Sequence, residues 1–397
     1  MKKLRVGVWL NKDIIPEDGG GFSYYTKLIY KINSEKFKDA EIVFISNTKF
    51  FNFPLEYYLL KWKPSKYKNI RNIVIKLLNF IKLLNTIKKY LIVKEKQEQE
   101  KLIDELYSVV DLIYYTTPMC EYPEFPYIYT LWDIGHLSMY SFPEVNSLRI
   151  FEGRKNYHGK LIERALMIFT ESKAGKDDAI KFYNLNKDRI QVIPIFPSSI
   201  IDTNIIEKKP NEVNEDLFFL HYPAQFWAHK NHYNLLIAFK YLIKDYPNIK
   251  LIFTGSDKGN KNHIYQLVEE FELKENILDI GFVKIEELKW LYTHSQGLVF
   301  PTFLGPTNMP LMEAGELGCL VACSNIDGHK EQIGEYGYYF DPLDPLDIYN
   351  QIKQMIQDKQ SGIVKKYASD FNINNSMKSL NTSFSKLKNI RHCWGGV

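Results

Sequence analysis

A chain of 397 residues, 45% of them hydrophobic and 15% aromatic, has enough apolar surface for two packed cores. Its formal charge of +4, from 51 basic against 47 acidic residues, excludes a general nucleic-acid binder unless the basic residues are gathered, and they are gathered in one place only. Cys120, Cys319, Cys323 and Cys393 lack metal-ligand spacing, and no run approaches the roughly 18 apolar residues of a membrane span, so a cytoplasmic protein without a spanning helix is expected.

Leu4 to Leu10 reads as the first strand. Gly19, Gly20 and Gly21 then precede a helix-like run from Tyr24 to Asn33. A glycine loop at that junction would let backbone amides approach a ligand, although a plain flexible turn has the same sequence. The spacing is not G-x-G-x-x-G, so no dinucleotide cofactor is indicated. Ala40 to Ser46 is the second strand. From Lys61 to Lys94 come ten basic residues, Lys82, Lys88 and Lys89 among them, and no acidic one. Ile70, Ile73, Val74, Leu77, Leu78, Ile81, Leu84, Ile87 and Leu91 interleave at helical steps. Such a basic amphipathic helix suits the headgroups of an anionic membrane, and equally a core-facing helix with its lysines in water. The stripe is aliphatic, which fits nucleic acid poorly.

Glu95 to Leu106 reads as a charged helix and Val109 to Tyr115 as a strand. The strand beginning at Tyr127 runs into Asp133, Gly135 and His136. Ligands of open α/β sheets gather at the carboxyl ends of strands, which makes Asp133 and His136 candidate site residues, the histidine with a structural role as its alternative. Helices over Glu152–Ala165 and Lys173–Phe182 alternate with strands at Leu166–Thr170 and Ile190–Ile195, the rhythm of a parallel, doubly wound sheet. Residues 1–196 therefore form a first Rossmann-like unit. Residues 197–216 are a linker, 217–368 a second unit, and 369–397 a tail whose helix, Asn374 to Lys388, is expected to cross back to the first unit.

In the second unit, a strand from Leu217 to Tyr222 ends at Gln225-Phe226-Trp227-Ala228-His229-Lys230-Asn231-His232, and a lysine at a strand–helix junction can neutralise a diphosphate. Further strands at Ile249–Thr254 and Ile277–Ile280 lead to the stretch Pro301–Ser324, PTFLGPTNMPLMEAGELGCLVACS. It reads as a strand end, a loop, a short helix opened by Pro310 and capped by Thr307 or Asn308, a turn at Gly318 and a buried strand. The amides ahead of Glu313 would make an anion site, with the carboxylate placed to hold ribose hydroxyls. Two such units leave the cleft between them as the expected binding site.

These motifs resemble the group 1 glycosyltransferases, family 4, which have the two-domain GT-B fold. PAQFWAHKNHYNLLIAF is similar to the family's phosphate motif, and the Gly19–Gly21 loop and LWDIGH are similar to its N-terminal landmarks. The resemblance implies retaining transfer of a hexose-type sugar from a nucleotide sugar, with Lys230 and the amides of Thr307, Asn308 and Met309 on the diphosphate and Glu313 on the ribose. It places Gly20, Gly21 and Gln225 on the donor side and Asp133 and His136 at the reacting centre. With no Asp-x-Asp in the sequence, transfer without metal or cofactor is expected. The expected partners are a nucleotide-sugar donor, a saccharide or lipid-linked acceptor of envelope polysaccharide (O-antigen or capsule) and an anionic membrane surface at 61–94, with no nucleic acid, which implies a peripheral site on the inner face of the cytoplasmic membrane. Three positions depart from the pattern. The family's first glutamate falls on Gly305, its arginine on Gln225, and its histidine before aspartate on Trp132. A sugar-nucleotide epimerase of the same fold and a non-catalytic binding subunit remain as alternatives.

Overall fold

Strands that are apolar at every position need cover on both faces, which in a parallel sheet is supplied by crossover helices. Leu112–Tyr115, Tyr127–Leu131 and Met167–Thr170 are buried throughout, as are Leu298–Phe300 and Val321–Ser324. The computed structural model describes all residues except 1, 13, 15–19, 50–54, 62–84, 215, 364, 392 and 394–397. Its strands form two wholly parallel sheets. The first holds β1 (Leu4–Trp9), β2 (Ala40–Ser46), β3 (Tyr58–Leu59), β4 (Leu112–Tyr115), β5 (Tyr127–Leu131), β6 (Met167–Thr170) and β7 (Ile190–Val192), in the order β3-β2-β1-β4-β5-β6-β7. The second holds β8 (Phe219–Pro223), β9 (Lys250–Thr254), β10 (Ile277–Asp279), β11 (Leu298–Phe300), β12 (Val321–Ser324) and β13 (Gly337–Phe340), in the order β10-β9-β8-β11-β12-β13.

Chain order reverses at β1 in the first sheet and at β8 in the second, where the crossovers leave on opposite faces and a crevice opens at the strand ends. The loops following β8 and β11 meet at that crevice. They carry Gln225 to Lys230 and Phe303 to Asn308, so topology alone brings together two segments 78 positions apart in the chain.

The first helix differs from expectation. It spans Gly20–Ser34, so Gly20 and Gly21 form its opening turn and not a loop, while Gly19 lies outside the described residues. Glycine is a poor helix former, but buried Tyr24, Tyr25, Leu28, Ile29 and Ile32 supply an apolar stripe at helical spacing that carries the turn along. The basic stretch 61–94 falls largely outside the described residues as well. Its end, however, is continuous with the charged segment after it in one helix, Asn85–Val109.

The last helix, Ile373–Arg391, packs on the first sheet. Met377, Leu380, Phe384 and Leu387 are buried with Leu4, Val6 and Leu112, Ser376 Oγ donates to Pro194 O (2.6 Å), and Lys388 pairs with Asp39 at 2.5 Å. Two contacts also join the halves across the cleft. His229 gives both its backbone N–H and a ring contact to Glu144 Oε1, at 2.9 and 2.6 Å. Glu331 accepts the amides of Lys173 and Ala174 (2.7 and 2.8 Å) while Ser172 Oγ accepts Gly175 N, so three free amides at the start of helix Lys173–Tyr183 are satisfied, two of them from the other half. Glu331→Ala is expected to speed hydrogen exchange at Lys173 and Ala174 by about tenfold, the effect of a lost capping interaction of ~1.4 kcal/mol. Unchanged exchange at those two amides would mean that the contact holds nothing.

Candidate functional site

The strand-end loops of the second sheet enclose a cavity of about 420 Å³. Gly255 and Ser256 after β9 and Gly281, Phe282 and Val283 after β10 form one side. Tyr292, Met309, Pro310 and Glu313 form the other, and Gln225, Ser198 and Ser23 close it. Gly255 is obligatory there, since a Cβ would lie 2.4 Å from Ala224 O and the backbone has φ of +148°.

Helix Met309–Glu316 begins one residue before Pro310, and Asn308 occupies the capping position without making the side-chain bond of a cap. Glu313, one turn in, is 5% exposed. Its carboxylate accepts Ser198 Oγ–H on Oε1 and Tyr292 O–H on Oε2, the latter at 3.1 Å. Burial pushes the carboxyl above its usual range, and these two donors oppose the rise. Ser198 lies in the segment read as a linker, so that segment also lines the site.

Lys230 sits behind the Phe303–Asn308 loop. Its ammonium is 5.0 Å from the Phe300 ring centre and donates to Asn308 Oδ1 at 3.1 Å. Burial lowers the lysine to about 8, partly offset by the negative charge of Asp133 on the other side of the cleft. Asp133 has φ of +37° and accepts Gly135 N–H at 2.8 Å, a tight turn that holds the side chain at the strand end.

The remaining expected residues are placed as follows. Gln225 lines the cavity and accepts Trp227 Nε1–H at 3.0 Å. Thr307 is half-buried in the loop and Met309 lines the cavity. The Asn308 amide is not free for a ligand, because it donates to Gln332 Oε1 at 2.8 Å while Gln332 Nε2 donates back to Asn308 O at 3.2 Å. His136 is fully buried, edge-on to Phe151, with neither ring nitrogen hydrogen-bonded. Burial first, then the Arg154 charge, lowers it to about 4. The structure thus withdraws it from the cleft, because it lies in the short helix Gly135–Ser138, which turns the ring inward behind Asp133. Gly21 stands in the first turn of its helix, with no atom within 4 Å of where a Cβ would be. Among the described residues no group of three or more His, Cys, Asp or Glu could hold a metal ion. Ser198, Tyr292, His329 and Gln332 are the contributors that the sequence does not announce. Each is an ordinary polar residue, and only the fold reveals its partner.

The match to the family model described as glycosyl transferases group 1 runs over residues 203–375 and therefore includes both strand-end loops of the cavity. The match takes in somewhat less than half of the chain, and over that part the chain is similar to the group 1 glycosyl transferases. The O-antigen chain mannosyltransferase B of Escherichia coli is 29% identical over 235 residues, 56% of this chain and 60% of that one. The O-antigen chain mannosyltransferase RfbU of Salmonella typhimurium is 28% identical over 196 residues, 49% and 52% of the two chains. The chain thus spans between half and three-fifths of the length of these curated relatives. Two solved structures show that the chain has the GT-B architecture over nearly its whole length. The lipopolysaccharide outer core galactosyltransferase WaaB gives a TM-score of 0.61 at 14% identity, covering 96% of this chain and 100% of that one. Anabaena Alr3699/HepE in complex with UDP and glucose gives 0.59 at 15% identity, covering 99% and 100%.

Proposed function

We propose that the protein is a retaining, metal-independent hexosyltransferase that moves a sugar from a nucleotide donor to a saccharide acceptor of an envelope polysaccharide. The observation that carries this is the pairing, at one switch point, of a 420 Å³ cavity anchored by the buried Glu313 with the half-buried cation of Lys230. The cavity takes the nucleoside, Glu313 accepts ribose hydroxyls, and Lys230 faces the diphosphate. As the glycosidic bond loosens, negative charge gathers on the departing phosphate, and a half-buried lysine ammonium held in place beforehand stabilises it more there than in the ground state. In a retaining mechanism without a protein base, that phosphate also accepts the proton of the acceptor hydroxyl on the same face. Asp133, across the cleft, orients the sugar or the acceptor.

A mannosyl donor heads the list of hexoses, because two relatives are named as O-antigen chain mannosyltransferases. A lipid-linked acceptor and attachment to the inner membrane face rest on the basic amphipathic stretch 61–94. No helix among the described residues is long and apolar enough to cross a membrane. The test is slow donor hydrolysis by the purified protein over a panel of GDP-, UDP-, ADP- and dTDP-sugars, followed by co-sedimentation with vesicles containing anionic lipid. One donor hydrolysed well above the others is expected, and charge reversal at Lys82, Lys88 and Lys89 should release the protein from the vesicles. A free sugar nucleotide returned epimerised would replace this reading with the epimerase, and a panel with no turnover would replace it with a binding subunit.

A further inference from the structure

Lys230 is held by a neutral group whose orientation is itself fixed by a chain of hydrogen bonds. His329 is fully buried, and its Nδ1 lies 2.9 Å from Ser324 O. A carbonyl oxygen only accepts, so Nδ1 carries the proton. Burial keeps the ring neutral, and its Nε2 is therefore an acceptor. Asn308 lies 2.9 Å from that Nε2 and must meet it with its amide nitrogen, which also reaches Leu304 O at 3.4 Å. The amide oxygen is then forced toward Lys230, 3.1 Å away. Only one polarity satisfies the whole chain, from Lys230 through Asn308 and His329 to Ser324.

Gly305 belongs to the same device. Its φ is +117°, and a Cβ there would stand 2.7 Å from Asn308 Nδ2. Any side chain at 305, a glutamate included, would push Asn308 off the lysine. The glycine at 305 and the asparagine at 308 thus belong to one arrangement.

We propose that Asn308, oriented by His329 and given room by Gly305, is a positioning residue that fixes Lys230 without neutralising it, leaving a cation with no carboxylate bonded to it aimed at the diphosphate of a nucleotide sugar. This rests on the donor-site reading given above. A carboxylate at 308 would hold the ammonium equally well in space but would compete with the diphosphate for its charge. The titratable groups around Lys230 are Asp133 from the first half, His229 and His232 beside it in the chain, and His329.

The experiment follows the Lys230 side chain by NMR in lysine-labelled protein, assigned with Lys230→Gln, in wild type, Asn308→Asp and His329→Leu. Binding of UDP, GDP, ADP and dTDP is measured by calorimetry in the same proteins. In Asn308→Asp, Lys230 is expected to hold its proton at least tenfold more tightly and the preferred diphosphate to bind at least tenfold more weakly. In His329→Leu, where the amide is free to turn, the lysine should hold its proton severalfold less tightly, with donor KM within twofold of wild type and kcat lower by about tenfold. Should His329→Leu not fold, Asn308→Asp decides alone. An unchanged lysine titration in Asn308→Asp overturns the proposal even if nucleotide binding by the wild type upholds the donor site. A wild type that binds none of the four diphosphates, while Asn308→Asp still tightens the proton on Lys230, overturns the donor site and upholds the positioning chain.

Discussion

Lys230→Ala is expected to lower donor turnover by about 10²–10³-fold, the usual consequence of removing one preorganised donor aimed at charge that develops in the transition state. Gln225 stands where the pattern of the resembling family has an arginine, so on the proposed function Lys230 would carry the stabilisation without a bidentate partner, which places the expected loss at the upper end of that range. Its pH dependence has a definite sign. Burial lowers the lysine in the folded protein from 10.5 to about 8, so between those values the unfolded chain binds more protons than the folded one and stability rises with pH. Below about pH 8 the full cost of the half-buried cation is present. Lys230→Met, which replaces the ammonium by an apolar group of similar reach, should therefore melt above wild type at pH 7 and lose that advantage as pH rises toward 10.5. Turnover assays and melts of the two variants together separate the lysine's work on the ligand from its effect on the fold. Wild-type turnover in Lys230→Ala would remove this residue from the mechanism.

Much of the architecture was legible because both sheets are parallel and buried. Strands such as Ala40–Ser46 and Leu298–Phe300 are apolar runs bounded by turns, and their helices repeat at fixed spacing. The two-residue strand Tyr58–Leu59 is too short to carry any period, and the helix start at Gly20 runs against local propensity. Lys230 and Glu313 each stand at a fixed offset from a strand end, and the structure places Glu313 in the cavity wall and Lys230 against Phe300 and Asn308. His136 stands at such an offset too, but whether a side chain at a strand end turns to the cleft or to the core is set by the following helix, which sequence spacing does not encode. Gly305 read as a loss. In three dimensions it is the space that Asn308 needs, a relation between positions that depends on a backbone with φ of +117° and a histidine 21 residues further on. Ser198 was read as part of a connecting segment because the bond that ties it to the site, to Glu313, spans 115 positions.

Glu313 gives a second large effect, and its two replacements separate two roles. In Glu313→Ala the hydroxyls of Ser198 and Tyr292 lose their acceptor in a buried setting, at about 1–3 kcal/mol each. A destabilisation of ~3 kcal/mol corresponds to a fall in Tm of about 6–12 °C for a unit of this size. Glu313→Gln keeps the shape, and its amide oxygen still accepts while the rotatable hydroxyls adjust. The carboxyl is raised by burial despite two donors, so its ionised form is disfavoured in the folded protein, and removing the charge at neutral pH should leave Tm at or slightly above the wild-type value. A carboxylate can accept from both hydroxyls of a ribose, whereas the Gln amide offers one oxygen, so nucleoside diphosphate affinity should fall by about tenfold, or ~1.4 kcal/mol. Glu313→Ala is then expected to lose both stability and binding, and Glu313→Gln binding alone. If Glu313→Gln binds the nucleotide as wild type does, the carboxylate holds Ser198 and the connecting segment in place, and the ribose must be recognised by the backbone around Gly255 and Gly281.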